Sequence, residues 1–211
     1  MVAPMNRKRE GESSGGVEGR RSGRSARGSW LTPAAIARTA GEGREIYARK
    51  LSFAEAQARV ASTHVTYHDA LDRLLARARG AHGMAVLIDW HSMPEAAART
   101  ALTPRHGKGC DIVLGDRFGA SCTQKLTNLV EKELEAMGYR VARNAPYAGG
   151  YTTEHYGRPA SRTHALQIEI SRALYLDETT LEPTDGLAKL TADIGKLTAV
   201  LAESWPKLRP A

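Results

Sequence analysis

Residues 144–178 read NAPYAGGYTTEHYGRPASRTHALQIEISRALYLDE, and this stretch decides both the fold and the site. Its first part, up to Gly157, predicts a loop that carries three tyrosines and one histidine. Gly149 and Gly150 let the backbone adopt a positive φ or approach a ligand closely. Loops held by a rigid framework usually carry the binding groups of a protein. We therefore expect this loop to form the rim of a pocket.

The second part of the stretch alternates apolar and polar residues, which predicts a β-strand. Aliphatic residues at 166, 168 and 170 face one side, and the other side carries Gln167, Glu169 and Ser171. A carboxylate in the middle of such a strand must face water or serve a function, because burying it unpaired is costly. The polar face of this strand therefore predicts the floor of the same pocket, with Glu169 as its chemical group.

Length and composition predict one globular domain behind a disordered tail. The chain has 211 residues, 42% of them hydrophobic, which suits a single domain. Residues 1–28 hold seven Lys or Arg and three Glu, so much of the +7 net charge lies in this Gly/Ser/Arg-rich segment. Such a segment cannot bury enough surface to offset its ordering entropy. We expect a disordered basic tail over residues 1–28 and a single α/β domain over residues 29–211.

The same bulk properties exclude several functional classes. No apolar run is long enough to cross a bilayer, and residues 1–28 lack the apolar core of a signal peptide. Cys110 and Cys122 are too few for a disulfide framework, so we expect a cytoplasmic protein with no membrane partner. Without a clustered basic and aromatic face on the body, we expect no nucleic-acid partner. The alternative is a nucleic-acid contact made by the tail alone.

A short apolar run over residues 84–88 predicts a buried strand that ends before Asp89, His91 and Ser92. Ligands bind at the C-terminal ends of strands in open α/β sheets. His91 is a candidate metal ligand or acid/base group, and Asp89, two residues away, is the candidate carboxylate that holds its other ring nitrogen. The alternative is an unliganded histidine at a strand end.

A second short strand, predicted over residues 111–114, is followed by Asp116 and Arg117. An arginine in this position can hold a substrate carboxylate through two hydrogen bonds. The alternative is a surface ion pair between Asp116 and Arg117, which contributes little. Both interpretations stay open from the sequence.

The remaining pattern completes an α/β arrangement. A capping box of Ser52 and Glu55 and an apolar stripe that includes Tyr67, Leu71 and Leu74 predict a long helix from Ser52 to about Arg79. Capping residues and apolar periodicity also predict a helix after Ser121 or Thr123, and a last helix from about Thr184. Further predictions are a short helix over residues 33–39, a surface connection over residues 95–109 and a strand over residues 139–143. This order indicates an α/β sandwich with a mixed, mostly parallel sheet. His64 and His68 have a spacing that suits a metal, but packing roles are the alternative.

Six segments in one order resemble the N-formylglutamate amidohydrolase (deformylase) family. Over residues 36–178 they read EIYARKLSFAEAQAR, TYHDAL, IDWHSMP, DIVLGDRFGASC, NAPYAGGYTTEHYGRP and HALQIEISRALYLDE. The resemblance implies a three-layer sandwich with the zinc carboxypeptidase/phosphorylase-hydrolase-like fold. It also implies a zinc-dependent hydrolase that cleaves N-formyl-L-glutamate to formate and L-glutamate, the last step of one route of histidine degradation.

The resemblance assigns roles to individual residues. His91, in HSMP, is the expected metal ligand, and Glu169, in QIEI, is the expected general base and acid. The expected holders of the substrate carboxylates are Arg117, Asn144, Tyr151 and Arg172. Asp89 and Asp116 are expected to contact these residues on the side away from the substrate.

One departure from the family concerns its N-terminal region. There the family has a PHSG-like motif and an acidic motif, which are expected to supply a histidine and a carboxylate to the metal, and residues 1–35 contain neither. A catalytic zinc normally has three protein ligands. We therefore expect either a truncated chain or recruitment of His64, His68 or His155, and we favour truncation. A non-catalytic binding remnant that still holds a carboxylate or an amino acid is the alternative function.

Overall fold

The computed structural model describes residues 36–39, 43–103 and 107–208. This part of the chain divides into two compact units, one that ends at His64 and one that begins at Val65. The tail predicted over residues 1–28, and His106 in the predicted surface connection, lie outside the described residues. Among the described residues, no helix is both long enough and apolar enough to cross a membrane.

The described part of the first unit begins with irregular chain. Residues 36–39 are not helical, and Thr39 forms an antiparallel bridge with Glu45, so the helix predicted over residues 33–39 is wrong for its described part. Residues 33–35 lie outside the described part. The predicted capping box is present at Ser52, whose hydroxyl accepts from the Glu55 backbone while the Glu55 carboxylate accepts from the Ser52 backbone.

The long helix predicted from Ser52 to Arg79 is three successive helical segments. These are α1 (Phe53–Arg59), a π-helical segment (Val60–Val65) and α2 (Thr66–His82). A π-turn takes one extra residue, which rotates the apolar stripe relative to a regular helix. In α2, His68 is buried instead of the predicted Tyr67, which is 58% exposed, and Leu74 is 51% exposed.

The rest of the second unit alternates strands and helices. Its elements are β1 (Ala85–Met93), α3 (Glu95–Thr100), β2 (Leu102–Thr103), β3 (Gly107–Lys108), β4 (Ile112–Gly115), α4 (Gln124–Ala136), β5 (Val141–Arg143), α5 (Tyr151–Tyr156), β6 (Thr163–Ser171) and α6 (Gly186–Leu208). The surface connection predicted over residues 95–109 is wrong, since it contains α3 and the β2–β3 hairpin. The loop predicted up to Gly157 likewise contains the short helix α5.

The main sheet has the strand order β1-β6-β4-β5. β1 runs parallel to β6, β4 runs antiparallel to β6, and β5 runs parallel to β4. The sheet is therefore mixed, as predicted, and two of its three strand pairings are parallel. Because β1 and β4 run in opposite directions, the chain leaves them at opposite ends of the sheet.

The two faces of this sheet differ in character. One face packs against α4 and α6, and its buried cluster includes Leu114, Leu126, Ile168 and Leu197. The other face has a smaller apolar cluster around Val113 and Ala98 of α3, beside the polar residues of β6. Since every residue of β6 is buried, its polar side chains lie inside the protein and not on a solvated surface.

A polar cluster attaches α6 to the sheet layer. Asp193 is 5% exposed and accepts from the Tyr139 hydroxyl at 2.9 Å. Its carboxylate also accepts from Lys189 at 2.6 Å and from Lys196 at 2.9 Å. These lysines and the tyrosine hold the pKa of Asp193 well below its ordinary value, although burial opposes them.

Cys110 and Cys122 are both free and buried, and they belong to the two clusters on opposite faces of the sheet. Burial raises the pKa of each thiol to about 11. Both thiols therefore stay protonated at neutral pH, which makes them poor nucleophiles.

Candidate active site

β1 and β6 bring His91 and Glu169 face to face. The two residues are register partners in neighbouring parallel strands. Two residues earlier in each strand, Asp89 is the partner of Gln167. Paired residues of adjacent strands project from the same face, so all four side chains share the polar face of the sheet. The prediction that Asp89 and His91 lie beyond the end of their strand is wrong, because β1 continues to Met93.

Asp89, His91 and Glu169 form a compact acid–imidazole–acid group. The Nε2 atom of His91 lies 3.1 Å from Asp89 Oδ2, and its Nδ1 atom lies 4.0 Å from Glu169 Oε1. The first contact is short but lacks hydrogen-bond geometry, so Asp89 Oδ2 is a buried oxygen with no hydrogen bond to any described residue. His91 is about half exposed, with 47% of its side-chain surface accessible. The imidazole is therefore open to solvent while a carboxylate lies close to each ring nitrogen.

The carboxyl group of Glu169 is buried, and its pKa lies above the ordinary value. Burial raises the pKa of its carboxyl group, and the nearby Asp89 acts in the same direction. His91, a hydrogen bond from Gln167 and Arg172 oppose this rise. A carboxylate with a raised pKa accepts a proton more readily than an exposed glutamate.

Arg172 lies next to this group. It directly follows β6, and its Nε donates to the Ser92 hydroxyl at 3.3 Å, one residue from His91 on β1. One guanidinium nitrogen also lies 3.5 Å from the Glu178 carboxylate. The Arg172 charge also lowers the pKa of the Glu169 carboxyl group, so this predicted carboxylate-binding residue acts electrostatically on Glu169.

The other predicted residues form a second group around the turn after β4. Asp116 is 1% exposed, and its carboxylate accepts from the Asn144 amide at 2.7 Å and the Thr127 hydroxyl at 3.0 Å. The side-chain oxygen of Asn144 in turn accepts hydrogen bonds from the backbone N–H groups of Asp116 and Phe118. Both side chains are therefore engaged within the protein, and they hold the turn on which Arg117 lies.

This turn has an unusual backbone. Arg117, Phe118 and Asn144 have φ values of 52°, 56° and 57°, a left-handed conformation that is unfavourable for residues other than glycine. Such conformations persist where the surroundings impose them, often at functional sites. Here the Asp116–Asn144 hydrogen bonds impose the turn, which directs Arg117 toward the Gly149 carbonyl oxygen at 3.2 Å.

Tyr151 lies in an aromatic cluster between α5 and α2. Its ring stacks on His155 at 5.1 Å and meets the edge of His68, also at 5.1 Å. His68 is held by a 2.8 Å hydrogen bond between its Nδ1 atom and the Tyr156 hydroxyl. Tyr151 is 43% exposed, so it remains accessible to a ligand.

The described residues do not complete a metal site. No group of three His, Cys, Asp or Glu side chains among them is arranged to hold a metal ion. His68 and His155, named as possible replacements, have ring centroids 6.3 Å apart in the aromatic cluster, and His64 belongs to the other unit. The structure therefore offers His91 as a single imidazole ligand, with the buried, unbonded oxygen of Asp89 beside it.

The structure adds Gln167 to this group, a residue to which the sequence pattern assigned no role. It is 4% exposed and lies on the same strand face as Glu169, with which it shares a hydrogen bond of 2.8 Å. The alternation of β6 placed it on the polar face, but sequence alone could not show that its amide reaches both a carboxylate and the Gly150 backbone.

Comparisons with known proteins match the part of the chain that contains these site residues. A sequence profile of N-formylglutamate amidohydrolase matches residues 5–176, which starts earlier than the motifs recognised from residue 36. N-formylglutamate deformylase of Pseudomonas putida is 38% identical over 114 residues, covering 54% of this chain and 41% of that protein. The Pseudomonas aeruginosa protein of the same name is 32% identical over 140 residues, covering 65% of this chain and 51% of that protein. The chain thus spans about half the length of the curated relatives it matches.

Solved structures agree with the sequence matches. The crystal structure of N-formylglutamate amidohydrolase from Ralstonia eutropha JMP134 is similar, with a TM-score of 0.71 and 42% identity over 78% of this chain and 59% of that one. The Atu2144 gene product of Agrobacterium tumefaciens shares the fold, with a TM-score of 0.57, 19% identity and coverage of 82% of this chain and 64% of that one. The profile match includes both strands that carry His91 and Glu169, and the chain belongs to the N-formylglutamate amidohydrolase family.

Proposed function

We propose that this chain is an amidohydrolase that cleaves the formamide of N-formyl-L-glutamate, releasing formate and L-glutamate. The observation that supports it best is the pairing of His91 with Glu169 across β1 and β6, which places the half-exposed imidazole 4.0 Å from the buried carboxylate. The names of the relatives supply the substrate class.

Glu169 is the proposed proton carrier. Its ionised carboxylate takes a proton from a water molecule, whose oxygen attacks the formyl carbon. The carbon–nitrogen bond then breaks, and Glu169 passes the proton to the departing amine of glutamate. The raised pKa of this carboxyl group suits both transfers, because the group must bind a proton and then release it.

His91 is the proposed contribution of this chain to a divalent metal site, with zinc as the expected ion. The arrangement fits in part, because the Asp89 carboxylate lies 3.1 Å from one ring nitrogen, although without hydrogen-bond geometry, and the imidazole is half exposed. It falls short of the three protein ligands usual for catalytic zinc, since the described residues offer no such set. A bound zinc would polarise the formyl oxygen.

Arg172 is the proposed holder of a substrate carboxylate nearest to the reacting groups. Its guanidinium already spans Ser92 and Glu178, so a carboxylate ligand would compete with the 3.5 Å contact to Glu178. Arg117, on the turn after β4, and Tyr151, in the aromatic cluster, are also proposed to bind the substrate, because both side chains keep exposed surface. Asn144 is proposed to support Arg117, because its amide is already bonded to Asp116.

A carboxylate-binding module without catalysis is the second candidate. It is favoured by a specific observation, the lack of a three-ligand set among the described residues. In this form Arg172 and Arg117 would bind glutamate, and Glu169 would only line the pocket.

Cys110 and Cys122, free and buried, support a reducing compartment such as the cytoplasm for either function.

Formate release separates the two candidates. The wild-type chain is incubated with N-formyl-L-glutamate, with and without added zinc, beside Glu169→Gln and the exposed α6 control Glu203→Gln. We expect Glu169→Gln to lower the rate by about a hundredfold or more, because a positioned acid/base group contributes on that scale. The control is expected to match the wild type. Equal rates in the wild type and Glu169→Gln would refute the assigned base.

Binding and metal content complete the test. Calorimetric titration with glutamate, together with elemental analysis of zinc, is applied to the wild type and to His91→Ala. Zinc that is present in the wild type and lost in His91→Ala supports the metal role of His91. Glutamate binding with no zinc and no formate release supports the binding module instead.

A further inference from the structure

A continuous chain of hydrogen bonds joins the two groups of site residues. Arg117 donates from its guanidinium to the Gly149 carbonyl oxygen at 3.2 Å. The N–H of the same peptide group, on Gly150, donates to Gln167 Oε1 at 2.7 Å. The Gln167 amide then donates from Nε2 to Glu169 Oε1 at 2.8 Å.

The direction of this chain is fixed by its chemistry. A backbone N–H can only donate, so the oxygen of the Gln167 amide must face Gly150 and its nitrogen must face Glu169. An ionised carboxylate can only accept, which is the bond that the nitrogen provides. Every donor therefore points from the cation of Arg117 toward the anion of Glu169, and hydrogen bonds aligned in this way polarise one another.

The local packing holds the central peptide group in place. A Cβ atom on Gly115 would lie 2.7 Å from the Gly149 nitrogen, so the turn runs directly against β4. Gly149 has a φ of +118°, and a Cβ there would lie 2.5 Å from the Thr153 hydroxyl. Only glycine at these positions lets the peptide approach the sheet closely enough to reach Gln167.

We propose that Gln167 is a positioning residue that fixes the Glu169 carboxylate and couples it, through the Gly149–Gly150 peptide group, to Arg117. The inference rests on the proposed function, in which Glu169 is the base and Arg117 holds a substrate carboxylate. A ligand that moves Arg117 thereby moves the peptide group against Gln167, so substrate binding and the orientation of the base are linked.

Two substitutions separate the halves of this connection. Gln167→Met keeps similar volume and removes both bonds, whereas Gln167→Glu keeps an oxygen that accepts from Gly150 and sets a second carboxyl group against Glu169 in place of the amide donor. The matched control is Gln124→Met on α4, where the glutamine bonds only to the exposed Arg143 guanidinium among the described residues. The first readout is amide hydrogen exchange at Gly150, measured by NMR, which requires no activity.

We expect exchange at Gly150 to be about tenfold faster in Gln167→Met, which corresponds to the loss of one hydrogen bond. In Gln167→Glu and Gln124→Met it is expected to stay close to the wild-type rate. Unchanged exchange in Gln167→Met would overturn the proposal, because the peptide group would then not depend on Gln167.

The second readout is the kinetics of formate release. Both Gln167 variants are expected to lower kcat by about tenfold, because Gln167→Met removes the bond that orients Glu169 and Gln167→Glu sets a second carboxyl group against it. KM is expected to rise mainly in Gln167→Met, where the peptide group near Arg117 is released as well. A wild-type kcat in Gln167→Met would overturn the positioning role. If Glu169→Gln is as active as the wild type, the proposed function fails, while exchange at Gly150 still decides whether Gln167 holds the peptide group.

Discussion

Asn144→Ala tests whether Asn144 supports the turn after β4 or binds substrate. Its side chain makes three hydrogen bonds, to the backbone of Asp116 at 3.1 Å, to the backbone of Phe118 at 3.3 Å and to the Asp116 carboxylate at 2.7 Å. Two are neutral and one involves a buried charge, which together amount to about 3 kcal/mol. The φ of 57° at this position adds about 1 kcal/mol of strain for alanine.

Urea denaturation measures this change as a loss of about 4 kcal/mol in the free energy of unfolding. Asn144→Gly should lose about 1 kcal/mol less, because glycine accepts the positive φ and forfeits only the hydrogen bonds. The matched control is Asn128→Ala, an exposed amide with one bond to Arg143, which should cost less than about 1 kcal/mol. Wild-type stability in Asn144→Ala, together with weakened glutamate binding, would refute the structural role and restore the substrate-binding one.

Two further predictions concern the stability of the second unit. Asp193→Asn should lower the free energy of unfolding by about 1–2 kcal/mol at neutral pH, because it weakens a nearly buried group of hydrogen bonds on α6. The pKa of Asp193 is depressed in the folded state, so its stabilising contribution is complete above the unfolded pKa of about 3.8 and is lost as the pH falls further. The free energies of unfolding of the wild type and Asp193→Asn should therefore converge in acid. Gly157→Ala should cost about 2–3 kcal/mol, since its Cβ would lie 2.4 Å from the Ser121 Cβ and 2.6 Å from its Cα. Gly80→Ala, in open space on α2, should instead gain about 0.5–1 kcal/mol in the same denaturation assay.

The features that the sequence predicted well depend on local patterns. The alternation over residues 166–171 predicted β6 and the side of it that carries Glu169, and the Ser52–Glu55 spacing predicted the capping box. A two-residue period and a three-residue capping offset are set by backbone geometry alone. The six segments that resemble the family lie within the profile match, which begins earlier, except for residues 177 and 178 at the end of the last segment.

The features that the sequence did not predict depend on tertiary context. The π-helical segment at Val60–Val65 leaves no pattern that distinguishes it from a regular helix, and it displaced the expected apolar stripe of α2. The extent of β1 was underestimated because Asp89, His91 and Ser92 are polar. They remain in the strand because β6 supplies backbone partners as far as Met93.

The arrangement of the candidate site follows from strand direction, which periodicity does not reveal. Because β4 runs antiparallel to β6, Asp116 and Arg117 do not lie at the sheet end where β1 finishes. The predicted residues therefore form two groups, and Gln167 lies between them. A glutamine two residues before a catalytic candidate on the same strand face is a signal that sequence analysis can use.

If His91 and Glu169 act as one reaction centre, their substitutions are coupled, and a double-mutant cycle on formate release measures this coupling. The rates of His91→Ala, Glu169→Gln and the double variant are compared with that of the wild type. Groups that act as a unit give strongly non-additive losses, so we predict that the double variant is no slower than the slower single variant. A double variant slowed by the product of the two single effects would show that the residues act independently, and would contradict the account.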